Sequence, residues 1–210
     1  MLKRIGYILV LIFVISEGYA QKILEKSWDA ADVQRLEIIS DQVFKIKIVS
    51  EVTETIRLIT RIEGENFENV VVNVFEEQHT LLLTTGYTPY FEAANDKLAA
   101  HKVISIEMEL LLPSHIAVFI QGAIVSVDTE GTFRKIHLEL DTGNCLLTNF
   151  NGDAQLNTKN GNITVYGDSN VFAIGETKRG TLRNELSSPG KFSVKAQSVN
   201  GDIILLKSQQ

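Results

Sequence analysis

The sequence predicts an all-β chain, a single right-handed parallel β-helix (β-solenoid) with coils of about 18–21 residues and longer strands in its N-terminal half. Three observations carry this reading. Val, Ile and Thr make up 55 of the 210 residues while proline occurs three times, and branched side chains suit a pleated, half-buried surface. Apolar and polar residues alternate over much of the first half, the period of a strand with one face in a core. In the second half, glycines followed by Asn or Asp recur at a nearly constant interval, as in "TGNCLLTNFNGDAQLNTKNGNITV", residues 142–165.

From the start of the chain, "MLKR", the apolar run Ile5 to Ile15 and the small residues Gly18 and Ala20 have the layout of a secretory signal peptide over residues 1–20, cleaved before Gln21. Its apolar run is shorter than the roughly 20 residues a bilayer core demands. Residues 21–210 are then one β-solenoid domain that does not span the membrane. Without the signal the formal charge moves from −6 to −7, and no Lys/Arg cluster offers a phosphate-binding face, so nucleic acid is not expected as a partner.

"VFKIKIVS" sets Phe44, Ile46 and Ile48 against Lys45 and Lys47; "TIRLITRIEG" and "VISIEMELLLP" alternate in the same way. "NVVVNVFEE" and "TLLLTT" read as more fully buried strands. "EAANDKLAAH", Glu92 to His101, is a short helix or a loop insertion. Regular coils occupy about residues 118–206. Gly122, Gly143, Gly161, Gly180 and Gly201 are spaced 21, 18, 19 and 21 residues apart. Two residues after each stands an apolar side chain, Ile124, Cys145, Ile163, Leu182 and Ile203, the pattern of one inward column. A second set of turns lies between them at Gly131, Gly152 and Gly190. The corner residues Asn144, Asp153, Asn162 and Asp202 are expected to hydrogen-bond within their turns.

Candidate chemistry is sparse. Cys145, alone in the sequence and in the inward column, is expected to be buried and inert. His79, His101, His115 and His137 lack the short spacing of metal ligands, so neither a metal nor another cofactor is expected. Asp141, Asp153, Asp168 and Asp202 sit mostly at turns, Arg134, Arg179 and Arg183 are scattered, and no calcium-binding GGxGxD run is present. No catalytic residue is assigned. The "NIT" at Asn162 fits a glycosylation acceptor but falls at a coil corner.

The order of these elements is similar to that of the auto-transporter adhesin head GIN domain family, a β-solenoid domain of unknown function found in exported bacterial proteins, notably of Bacteroidetes. "VQRLEIISDQVFKIKIVSE" stands where such domains open, and "TLLLTTG" precedes a variable insertion at 87–102. "VISIEMELLLPSHIAVFIQGA" resembles the strand that ends in Leu-Pro and leads into the first coil, and "TGN", "NGD", "NGN" and "NGD" mark the corners. The resemblance spans residues 30–206. It implies a fold and an exported location, and supplies no catalytic residues.

The expected function is a non-catalytic envelope or surface module of a Gram-negative bacterium that binds an envelope or extracellular glycan or protein through the solenoid's side faces. The periplasm is favoured over the surface by the absence of a lipidation cysteine and a sorting domain. The alternatives are a polysaccharide lyase or hydrolase and a periplasmic envelope-stress sensor or scaffold. Open solenoid ends also invite end-to-end or side-by-side self-association.

Overall fold

The computed structural model describes residues 21–89, 91 and 104–208. The signal reading at 1–20 and the helix reading at Glu92–His101 fall outside them. In chain order the strands are β1 Gln21–Asp29, β2 Arg35–Ile39, β3 Val43–Glu51, β4 Thr55–Gly64, β5 Val70–Glu77, β6 Thr80–Tyr87, β7 Ile104–Pro113 and β8 Ala117–Ile124. They continue as β9 Ser126–Thr142, β10 Cys145–Asn160, β11 Ile163–Gly167, β12 Val171–Arg179, β13 Leu182–Asn184, β14 Phe192–Asn200 and β15 Ile203–Lys207. One 3₁₀ turn, Phe67–Asn69, separates β4 from β5.

The protein is all-β, but the single parallel helix expected from the sequence is not what the pairing describes. The strands form one mixed sheet that curls into an open half-barrel. β1, β4 and β7 pair antiparallel, as do β5 and β6, whereas β2, β3 and β8 to β15 make parallel pairs. One run of the sheet is β1-β4-β7-β3-β9-β10-β11-β15-β13; the other is β5-β6-β2-β8-β9-β10-β14-β12. β9 and β10 belong to both runs and, at 17 and 16 residues, are the longest strands. Strand length therefore peaks in the coil region rather than in the N-terminal half. Each turns from one run to the other midway, β10 around Asn149 (φ 48°) and Gly152 (φ 149°).

Alternation decides which residues face the core. Ile46 and Ile48 of β3, Ile56, Leu58 and Ile62 of β4, and Ile136, Leu138 and Leu156 of β9 and β10 are all buried in one continuous cluster. Phe44 is instead 40 % exposed, since an irregularity between Val43 and Lys45 puts Val43 inside. β5 is not fully buried either: as an edge strand it covers Val70 and Val72 while Phe75 is exposed.

The coils are stacked, but not in the order of the chain. β11 pairs with β15 and β15 with β13; β10 pairs with β14 and β14 with β12. The last coil, β14–β15, is thus inserted between β10–β11 and β12–β13. The glycine column runs Gly143, Gly161, Gly201, Gly180 in space. A Cβ on Gly161 would lie 1.9 Å from the Gly143 carbonyl oxygen, one on Gly201 2.0 Å from that of Gly161, and one on Gly180 2.1 Å from that of Gly201. Close backbone approach is what excludes any side chain at these corners.

The residue after each glycine ties the corners together. Asn144 Oδ1 accepts from the Asn162 N–H, Asn162 Oδ1 from the Asp202 N–H, and Asp202 Oδ1 from the Thr181 N–H, all at 2.7–2.8 Å. The Thr181 backbone and hydroxyl bonds hold the Asp202 carboxyl below its ordinary range. On the inner side, Thr158, Ser198 and Thr177 donate their hydroxyls to the Gly143, Gly161 and Gly201 carbonyls. The Gly-Asn/Asp repeat thus has two halves: glycine permits the approach, and the amide or carboxylate satisfies the next coil's N–H.

Candidate binding face

Cys145, Ile163 and Ile203 lie in one register, fully buried. Two members of the expected column do not. Ile124 is 64 % exposed, because it pairs with Thr142 at the end of β8; the register puts Val127 beside Cys145 instead. Gly122 correspondingly lies opposite Leu140 and is no member of the glycine column. Leu182 holds its register place beside Ile203 but is 47 % exposed, since β13 ends its run of the sheet and no described strand stacks over it. Among the second set of turns, Asp153 Oδ1 accepts the Ser193 N–H and stitches β14 to β10.

Burial pushes the Cys145 thiol up to about 12, so no thiolate forms near neutrality. A thiol reagent at about pH 8 is expected to leave Cys145 unlabelled in the folded protein and to modify it on denaturation; rapid labelling of the native form would contradict this burial. The histidines are dispersed. His79 and His115 contact the carbonyls of Asp32 and Ala30, His137 stands beside Glu139, and His101 lies outside the described residues. Among the described residues, no three metal-ligating side chains come together. The aspartates are engaged locally: Asp141 with Lys159 at 2.6 Å, Asp168 with the Ser169 N–H, Asp202 with Thr181. Arg183 pairs with Glu185.

What stands out is a surface the sequence pattern did not single out. On the outer side of β8, β9, β10, β14 and β12, the parallel register lines up Gln121, Glu139, Asn157, Gln197 and Glu176 in one row. Neighbouring strands are about 4.8 Å apart, so the row is a polar track across five strands. A second row carries Asp141, Lys159, Val199 and Lys178. Together with Asp41, Gly122 and Ala123 they line a shallow groove of about 630 Å³.

The groove's chemistry is hydrogen bonding more than charge. Lys159 is paired with Asp141, and Gln197 Nε2 donates to Glu176 at 3.4 Å. Asn157 Oδ1 is buried with no hydrogen-bond partner among the described residues. His137 Nε2 lies 3.1 Å from Glu139 Oε1 without the alignment of a hydrogen bond. One row further, the rings of Phe119 and His137 meet edge to face at 5.2 Å, and Arg35 covers Phe119 at 5.4 Å. Four carboxylates (Asp41, Glu139, Asp141, Glu176) face two ammonium groups (Lys159, Lys178), a balance that disfavours polyanions. The signal was present in the sequence: Gln121, Glu139 and Asn157 are 18 residues apart, in step with the coils.

No family model matches the chain, and no curated protein does. Among solved structures it is similar to a candidate cell adhesion protein from Clostridium sporogenes, at 13 % identity and a TM-score of 0.56, over 89 % of this chain and 99 % of that one. Candidate adhesins from Bacteroides fragilis (13 % identity, TM-score 0.45, 88 % and 97 % covered) and Parabacteroides distasonis (10 %, 0.43, 88 % and 97 %) are more distant in shape. At 13 % identity the first likeness is one of fold.

Proposed function

We propose that this is an exported, non-catalytic binding module of the cell envelope, of the auto-transporter adhesin head GIN type, which holds an extended, uncharged polymer such as a neutral glycan along the groove. The observation that carries the reading is the row Gln121–Glu139–Asn157–Gln197–Glu176, in register on five strands. Amide side chains donate to and accept from vicinal hydroxyls, and carboxylates accept from them. The fold shared with a candidate cell adhesion protein supports a binding role. Residues 1–20 serve as the cleaved export signal, on the layout of their charged, apolar and small residues, and the periplasm of a Gram-negative cell is the preferred location. The same reading gives the parallel coils a right-handed course, supported by the strong bias of parallel crossovers.

An immobilised panel of neutral and uronic-acid-containing polysaccharides tests it. Binding is expected to the neutral members, and Asn157→Ala with Gln197→Ala to weaken it at least about tenfold, the loss expected for polar contacts removed from a hydrogen-bonding site. Absence of binding to every neutral polysaccharide, or binding indifferent to both substitutions, would overturn the assignment. Protease digestion on intact and permeabilised cells tests location separately: protection until permeabilisation is expected, and digestion on intact cells would place the protein on the surface.

A further inference from the structure

We propose that the chain forms a two-fold dimer in which β12 pairs antiparallel with β12 of a second copy. The two ends of the stack are treated differently. At the β1/β5 end the edge is covered from within: Lys22 Nζ donates to the Glu68 and Val70 carbonyls and Lys26 Nζ to that of Val72. Lysines placed so are a usual guard against strand addition. At the other end, among the described residues, β12 pairs only with β14, and β13 only with β15. The Ala173 N–H is bonded to the Leu186 carbonyl and the Ala173 carbonyl to the Asn184 amide. Backbone groups alternate sides along a strand, so Gly175, Thr177 and Arg179 turn theirs to the same open side as Ala173. None of these three has a backbone bond there among the described residues.

The side chains select the occupant. Glu176 and Lys178 project from the same outer face of β12, flanking Thr177, and Lys178 makes no ion pair among the described residues. When two copies of β12 meet antiparallel about Thr177, each Glu176 faces Lys178 of the second copy, and each Gly175 faces Arg179. A register centred on Gly175 would instead set Ile174 against Glu176 and Phe172 against Lys178. The strand is thus charge-complementary to itself in one register, and like charges meet nowhere in it. Ile174 and Leu182, 54 % and 47 % exposed at this end, add apolar surface beside the ladder. Pairing also brings the two polar grooves edge to edge, because Glu176 and Lys178 line both.

Sedimentation equilibrium on the chain purified from an exporting host tests this. The expected result is a monomer–dimer equilibrium. Glu176→Lys and Lys178→Glu should each raise the dissociation constant at least about tenfold, since each makes like charges meet; the double exchange should restore it to within about threefold of the parent. Thr177→Pro, which removes an edge donor, should abolish the dimer, and thermal melting monitors the fold of every variant. A monomer at all concentrations, a dimer insensitive to Thr177→Pro, or a double exchange no better than the single ones would overturn the proposal.

Discussion

Gly161→Ala is expected to cost about 3 kcal/mol or more, the upper part of what overpacking ordinarily does. The new methyl carbon would lie 1.9 Å from the Gly143 carbonyl oxygen and 2.6 Å from its carbon. Neither is the free end of a side chain, so the corners must part. Parting them strains the Gly143 N–H bond to Asn160, the Asn162 N–H bond to Asn144 and the Thr158 hydroxyl bond to Gly143 together. For a domain of this size the midpoint of thermal unfolding should fall by about 6–12 °C, measured by far-ultraviolet circular dichroism. Gly86→Ala is the control: its nearest neighbour would be Asn73 Nδ2 at 3.5 Å, an ordinary contact, so a change within about 1 kcal/mol is expected. Equal behaviour of the two variants would show that the glycine column is not under compression.

The second large effect is expected from Phe150→Ala. Phe150 is fully buried where β10 passes from one run of the sheet to the other, stacked on Phe133 with ring centroids 6.2 Å apart. Removing the ring leaves a cavity and should cost about 3–5 kcal/mol, lowering the midpoint by about 6–20 °C. A double-mutant cycle with Phe133→Ala should return about 0.5–1.5 kcal/mol of coupling for the ring pair. A single-variant loss under about 1 kcal/mol would place Phe150 outside the core.

The all-β class and the glycine corners were legible because each rests on local rules; the bonds of Asn144, Asp153, Asn162 and Asp202, expected within their own turns, run to the neighbouring coil instead. Alternation puts Ile46 and Ile48 inside, and a Gly-Asn pair at a tight turn reads the same in any strand-rich chain. The column was partly legible: Cys145, Ile163 and Ile203 share a register, but counting back 21 residues lands on Ile124, whereas the register reaches Val127 at 18. Coil order was not legible. Ile163 pairs with Ile203, 40 residues on, and Ile203 with Leu182, 21 back; any multiple of a twenty-residue period fits the pattern equally well. The antiparallel N-terminal strands escaped for a related reason, since alternation says which face is buried and nothing of a neighbour's direction. The polar row was hidden because outward residues of differing type, Gln, Glu and Asn, become a row only once the strands are in register.

The inserted last coil bears on how the molecule can be made. A stack laid down in chain order would close with residues 171–184 resting on β10 and β11, leaving no opening for β14 and β15. In this protein residues 192–207 hold the inner places, so β12 and β13 have their native neighbours only once that segment is in position. That coil is therefore a keystone: a chain that stops short of residue 192 lacks the strands on which β12 and β13 rest.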